Sequence, residues 1–416
     1  MTEMSETIQT QCCIAGGGPA GMMLGFLLAR AGVDVWVLEK HADFLRDFRG
    51  DTVHPSTLEV MHELGILEKF LKLPHQEVRE LSAQIGGELA PIADFTLLPT
   101  RCKFIALMPQ WDFLNFIAEE AKRFAGFHLK MQAEATDLIR EGERILGVQA
   151  KTPEGIQEVR AALTVGADGR RSVVRERAGL EVEDIGAPMD ALWMRLSRKK
   201  SDPPQTFGNV AAGKMLVMLN RDEYWQCAFV IPKGGFEEIR ENGIAAFRQE
   251  IANFSPWMLD RVDELRDWKD VSLLTVKVDR LKRWHLPGLL CIGDAAHAMS
   301  PIGGVGINLA IQDAVATANL LSEKLREGKL SESDLQAVQR RRMFPTRATQ
   351  ALQVFAQNRV IQRVLATTKP ITVPWPVKLA RRWPALRRIL PRIVGVGFRP
   401  EHVRTPEAKI SAPAPS

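Results

Sequence analysis

The sequence predicts a doubly wound α/β domain with a β-rich domain inserted into it. Three observations predict this. The chain opens on a strand–glycine turn–helix–strand unit. A buried strand ending in an acid and a glycine cluster returns near residue 289. Between them, from about 181 to 280, the pattern changes to β-type alternation. A chain of 416 residues, 45% hydrophobic and 25% charged, can bury the core of two or three such domains.

In chain order, residues 11–40 (QCCIAGGGPAGMMLGFLLARAGVDVWVLEK) read as strand, glycine turn, helix, strand. Leu58, Met61, Leu64 and Leu67 recur at near-helical spacing and predict a helix over 56–72, and 111–124 reads as another. Strands follow around 128–133, 145–151 and 158–165, with a Pro-Glu-Gly turn between the last two. The β-rich block holds one helical stretch near 243–253. The strand at 289 leads into a long helix ending about Glu327, with Gly328 as its stop. The α/β domain is therefore expected to comprise 1–75, 109–180 and 281–345, and the inserted domain 76–108 and 181–280. A basic helical region, 346–405, and a disordered tail, 406–416, complete the expectation.

A net charge of +5 is too weak to argue for nucleic acid. The five cysteines, Cys12, Cys13, Cys102, Cys227 and Cys291, are odd in number and scattered, which fits free thiols in a reducing compartment and no metal site. The N-terminus lacks the charged-then-apolar pattern of a signal peptide. No apolar run approaches the roughly 18 residues of a membrane span, so a cytoplasmic protein is expected.

Three motifs carry chemistry. The first is Gly16-x-Gly18-x-x-Gly21, with Pro19 and Ala20 between, directly behind an apolar strand and opening a helix. Gly16 permits the tight turn, Gly18 lets a pyrophosphate approach the backbone, and Gly21 lets helix and strand pack closely. The helix N-terminus then offers free N–H groups and partial positive charge. Glu39, at the end of the next strand, can accept from ribose hydroxyls. A glycine turn that binds nothing would not need this full order. The loop alone serves NAD and FAD equally, and Glu39-Lys40 followed by Arg49 leans towards FAD. The second motif, Asp168-Gly169, ends another hydrophobic strand, where a plain turn is an equal reading. The third is GLLCIGDAAHAMSPIGGVGINLAIQDA, Gly288–Ala314. Asp294 could bond a polyol hydroxyl. Gly303, Gly304 and Gly306 would let backbone approach a flat ring, and a helix starting near Ile307 would point its N-terminus at that ring. His297 reads better as a satisfied turn histidine than as a ligand or base.

Together, and in this order, the motifs resemble the para-hydroxybenzoate hydroxylase family of class A FAD-dependent monooxygenases, which includes ubiquinone-biosynthesis hydroxylases. The resemblance spans roughly residues 10–345. It implies a Rossmann-like, glutathione-reductase-type FAD domain. Gly16, Gly18, Pro19, Ala20 and Gly21 would lie on the pyrophosphate, and Glu39 with Lys40 at the adenosine ribose. Arg49 would lie on the flavin and coenzyme side, Gln110 near the ribityl or pyrophosphate, and Asp168 in a segment serving FAD and the coenzyme. Gly293 and Asp294 would lie on the ribityl, and Pro301, Gly304, Gly306, Ile307 and Asn308 along the flavin ring. In such enzymes NADH or NADPH reduces FAD. Oxygen then adds at C4a, and the resulting hydroperoxide hydroxylates an electron-rich aromatic, polyketide-like or quinone-like ring. The flavin carries the chemistry, so no nucleophile is expected, and Arg49 and Pro301 are the candidates for direct involvement.

The chain departs from the family where para-hydroxybenzoate hydroxylase uses tyrosines to activate its phenol, because Tyr224 is the single tyrosine. The β-rich block, with Trp193, Phe207, Trp225, Phe229 and Phe236, is expected to roof the substrate pocket. Arg195 or Gln226 could orient a polar group there, although sheet-surface residues explain both. YWQCAFVIP resembles the Trp-x-Trp-x-Ile-Pro pattern of flavin halogenases but lacks its second tryptophan. Geranylgeranyl-reductase-like enzymes, which insert no oxygen, are a second alternative. A flavin-binding protein without turnover is a third, opposed by three intact motifs. The arginine- and tryptophan-rich stretch 369–404 could lie on an anionic membrane or pack across the FAD domain. Pro384 and Pro391 limit any continuous helix, and packing is the favoured reading.

Overall fold

The computed structural model describes residues 7–45, 52–203, 206–374 and 388–408. Five parallel strands centre its first sheet, in the spatial order Leu289–Cys291, Gly155–Gly166, Ile8–Ala15, Val35–Glu39 and Phe127–Met131. From the first strand the chain builds two strands to one side, then returns to build two on the other. The switch point lies between Ile8–Ala15 and Gly155–Gly166, where α/β sheets place their ligands. The long Gly155–Gly166 strand carries an antiparallel extension, Arg144–Thr152 and Glu134–Glu141.

Helix Pro19–Arg30 is buried from Ala20 to Ala29, which explains why it is apolar on all sides. It packs against helices Gln110–Ala121 and Gly306–Arg326. The helix expected over 56–72 is two helices, Pro55–Glu63 and Leu67–Phe70. Gly65, at φ 71°, breaks it in a conformation that L side chains avoid.

The second sheet has seven strands, in the order Val271–Leu274, Met189–Ser197, Tyr224–Pro232, Lys214–Asn220, Phe207–Ala211, Glu80–Ile85 and Glu88–Asp94. Its one parallel pair joins Phe207–Ala211 to Glu80–Ile85, so distant chain segments share one sheet. Strand alternation sorts its residues. Leu192, Met194, Leu216, Trp225, Cys227 and Phe229 face a core closed by Phe247 and Ile251 of helix Ile244–Phe254. Ala191, Trp193 and Arg195, with Gln226, Ala228 and Val230 opposite them, lie on the other face.

This corrects the expected aromatic roof. Phe207, Trp225 and Phe229 belong to the inserted domain's own core and Phe236 packs against it. Trp193 alone of the five lies on the opposite face. Residues 406–408, expected to begin a disordered tail, dock on the first helix: Ala408 N–H donates to Arg30 O at 2.7 Å and Arg30 meets Glu407 at 2.8 Å. Pro384, Trp375 and Trp383, with the rest of residues 375–387, lie outside the described residues.

Candidate active site

The three motifs end three neighbouring parallel strands: Ile8–Ala15, Gly155–Gly166 and Leu289–Cys291. At the first, Gly16 has φ 110°, and a Cβ there would lie 2.4 Å from Ala167 O. A Cβ on Gly21 would lie 1.9 Å from Gly16 O, so helix and turn touch through backbone alone. Around Gly18 nothing lies within 4 Å of the corresponding position. The turn is therefore packed on two sides and open on the third, as a pyrophosphate cradle must be. Helix Pro19–Arg30 has no side-chain cap and no acid in its first turn, which leaves its start free to receive an anion. Glu39, 5% exposed, accepts from Gly17 N–H at 3.0 Å and His41 N–H at 3.0 Å, which fixes its carboxylate beside the loop.

Asp168 caps the short helix Val173–Arg177 from nearby, accepting from Ser172 Oγ–H at 2.5 Å and Val174 N–H at 3.1 Å. Burial pushes its carboxyl up, and these hydrogen bonds offset only part of that. Its side chain thus has a structural task in the turn. The following Arg170, not singled out by the sequence, reaches Asp294 at 3.8 Å and ties the second motif to the third. Gly293, at φ 58°, is wedged where a Cβ would lie 3.0 Å from Ala20 Cβ and 3.2 Å from Ala310 Cβ.

Beyond Asp294 the chain forms the loop Pro301–Val305, then helix Gly306–Arg326, again without a side-chain cap or a first-turn acid. Gly303 and Gly304 have φ 77° and 62°, and a Cβ on Gly304 would lie 2.5 Å from Thr52 Oγ1. Asn308 was expected along the flavin ring. Its side-chain amide bonds inside the protein: Oδ1 accepts from His54 N–H and Thr57 Oγ–H, and Nδ2 donates to Thr52 O and Gly304 O. Thr52 Oγ–H also donates to Gly304 O at 2.8 Å. From behind, helix Glu332–Ala356 and its π-helical continuation Gln357–Ile361 grip the loop. Gln350 donates to Ala298 O, Gln353 to Ser300 O and Ile302 O, and Gln357 to Ser300 Oγ. Their spacing of three and four residues puts all three on one helix face, a signal present in the sequence and missed.

His297 is a turn histidine, 1% exposed, with Nε2 2.6 Å from Asp313 Oδ2. Gln110 starts the helix Gln110–Ala121, and Ile307 lies in the first turn of the last motif's helix. Arg49 lies outside the described residues. His54, also unanticipated, is fully buried. It donates Nδ1–H to Val394 O at 2.7 Å, and its Nε2 has no partner among the described residues. Burial lowers its pKa to about 4, so the ring is neutral at pH 7. All five cysteines are buried and free; burial pushes the Cys13 thiol up to about 12, too high for ready thiolate formation.

Residues 9–352 match the family described as FAD binding domain. Over 393 residues the chain is 33% identical to 6-methylpretetramide 4-monooxygenase of Streptomyces rimosus, covering 94% of this chain and 93% of that protein. The chain is a class A FAD-dependent monooxygenase.

The monooxygenase shares its fold with p-nitrophenol 4-monooxygenase PnpA from Pseudomonas putida, at a TM-score of 0.76 and 19% identity over 95% of this chain and 100% of that one. The probable FAD-dependent monooxygenase PqsL from Pseudomonas aeruginosa gives a TM-score of 0.72 at 22% identity, over 85% of this chain and 97% of that one. FAD fits the residues present. The open side of Gly18 and the uncapped helix start would take the pyrophosphate, and Glu39 the ribose. Gly293–Asp294 would take the ribityl chain, and Gly303–Ile307 the ring. No helix among the described residues is long and apolar enough to cross a membrane.

Proposed function

We propose that this monooxygenase hydroxylates an aromatic or polyketide-like small molecule at the expense of NADH or NADPH, converting substrate C–H and O₂ to C–OH and water. The observation that carries the reading is where the ring loop meets the second sheet. Met189, Val230 and Ile361 form a small buried cluster, and Met215 and Ile302 pack against it. Ile302 directly follows Pro301 in the loop. The sheet face bearing Trp193, with Ala191, Ala228 and Val230, thus continues outwards from the loop as an apolar wall suited to a flat ring, bounded at its far end by Arg195 and Gln226. The relatives' substrates, 6-methylpretetramide and rifampicin among them by their names, are of this kind.

The chemistry FAD supplies when bound is hydride acceptance from the coenzyme and transfer of one oxygen atom from O₂. The protein's residues orient and exclude. The three glutamines fix Ala298–Ile302, where the ring loop begins, Asn308 fixes its far end, and the contact of Ile302 with the sheet keeps water from that end. No tyrosine relay operates. Tyr224 pairs with Ser197, eight residues along the strand from the Met189–Pro232 pair. At the strand rise that is roughly 27 Å away. The Arg195 guanidinium sits 3.7 Å over the Tyr224 ring. Substrates should therefore be rings already electron-rich or readily ionised.

The test is NADH and NADPH oxidation by the purified holoenzyme with a panel of phenols and polyphenolic polyketides, following oxygen uptake, peroxide and product mass together. A compound that speeds coenzyme oxidation and gains one oxygen atom is the expected result. Reduction of a substrate double bond without oxygen uptake would replace this reading with a reductase.

A further inference from the structure

Residues 388–408 lie beyond residue 352, where the family match ends, yet they run back across the cofactor site. Val394 accepts from His54, and with Val396 it packs on a cluster that includes Phe95 and Leu98. Gly395 sits so close that a Cβ there would lie 2.9 Å from Leu98.

At Glu401 the segment turns inward. Its Oε1 accepts from Arg341 Nε at 2.6 Å and Arg342 Nη1 at 3.3 Å, and Oε2 from Arg341 Nη2 at 3.0 Å. Its backbone N–H donates to the Gln312 side chain. Arg342 is 1% exposed, and its Nε donates to Asp313 Oδ1 at 2.8 Å. The other oxygen of Asp313 holds Gly293 N–H at 3.1 Å as well as His297. Charge-assisted hydrogen bonds thus run unbroken from Glu401 to the residue preceding Asp294.

We propose that Glu401 is a positioning residue of the FAD site, acting through Arg342 and Asp313 to fix the Gly293–Asp294 turn. The inference rests on that turn holding FAD. Arg342 is a buried cation shared between two carboxylates. Without Glu401 it keeps only Asp313, and a buried charge that loses a partner draws in water or moves. Either response shifts the carboxylate that anchors Gly293, whose left-handed backbone between Ala20 and Ala310 has no slack.

FAD titration into the flavin-free full chain, read by flavin fluorescence, tests this with Glu401→Ala, Glu401→Gln and Glu407→Ala. Glu407 is the control, since its half-exposed carboxylate meets Arg30 at the surface of the same segment. Kd should rise at least tenfold in Glu401→Ala and about threefold in Glu401→Gln, and should stay unchanged in Glu407→Ala. Combined with Asp294→Ala, the Glu401→Ala effect on Kd should be less than multiplicative, because both act on one turn. A wild-type Kd in Glu401→Ala, with only its melting temperature lowered, overturns the proposal, as do effects that multiply. Should Glu401→Ala fail to fold, an unchanged Kd in Glu401→Gln overturns it equally. A wild-type chain that binds no FAD would overturn the cofactor assignment of the turn instead.

Discussion

At the pyrophosphate end of the site, glycines at most five residues apart shape the cradle with their own backbones. At the ring end, the stretch from Ala298 to Asn308 is held by side chains from residues 52–57 and 350–357, and Val394 packs beside its Gly303. The first end is a local device: where a backbone must pass within 2.4 Å of a would-be Cβ, only glycine serves, and the sequence has to show it. The second is a tertiary device, assembled after distant elements have packed. A cradle for phosphate needs only N–H groups and space. A loop that sets a ring against a substrate needs to be aimed, and aiming takes contacts from several directions.

The sharpest way to break this contrast is Gly21→Val. Its Cβ, whose position the backbone fixes, would collide with the backbone oxygen of Gly16, so neither partner can rotate away. The purified variant should carry no FAD and should lose most of its soluble yield; stoichiometric flavin in it would refute the local account.

Acid titration probes the ring end. His54 has its pKa depressed to about 4 by burial, against 6.5 when unfolded. Between those values the unfolded chain binds a proton that the folded chain does not. Stability contributed by this group is therefore complete above pH 6.5 and falls as pH drops to about 4, by about 3 kcal/mol. Urea unfolding from pH 7 to 4 should show this slope, and His54→Gln should flatten it.

Asn308→Ala removes four hydrogen bonds, three that staple the loop to residues 52–57 and one to Gly304 O within the loop. A loss of about 2–3 kcal/mol is expected in urea unfolding. The holoenzyme should also release more peroxide per coenzyme oxidised, because the ring loop is no longer aimed. The smallest effect is Tyr224→Phe, which should leave kcat and KM for a productive substrate within twofold and so separate this site from one activated by tyrosine.

Much of the fold was legible for the reason that makes the first end local. Strand, glycine turn and helix follow one another in sequence, and each states its own period. The Gly306–Arg326 helix and its stop at Gly328, with φ 64°, match the expectation closely. The inserted sheet was legible as β-structure, but which face holds which aromatic was not. Trp193 and Trp225 differ in face only through the register that pairs Trp193 with Ala228 and Leu196 with Trp225. Asp168 and Asn308 were found as residues, but the hydrogen bonds that occupy them depend on neighbours that only packing brings. Arg342 and Glu401 left no local signal, since an arginine in a polar helix and an acid in a proline-flanked tail look like solvated surface.

The most direct test of the cradle is FAD binding to Gly18→Ala. Gly18 has φ −74°, which alanine adopts freely, and open space where the methyl would go. The flavin-free variant should therefore unfold within about 1 kcal/mol of the wild type, while its Kd for FAD rises at least tenfold because the methyl takes the place of the pyrophosphate. Equal stability with an unchanged Kd would contradict the account, since the one open side of the turn would then not be where the cofactor lies.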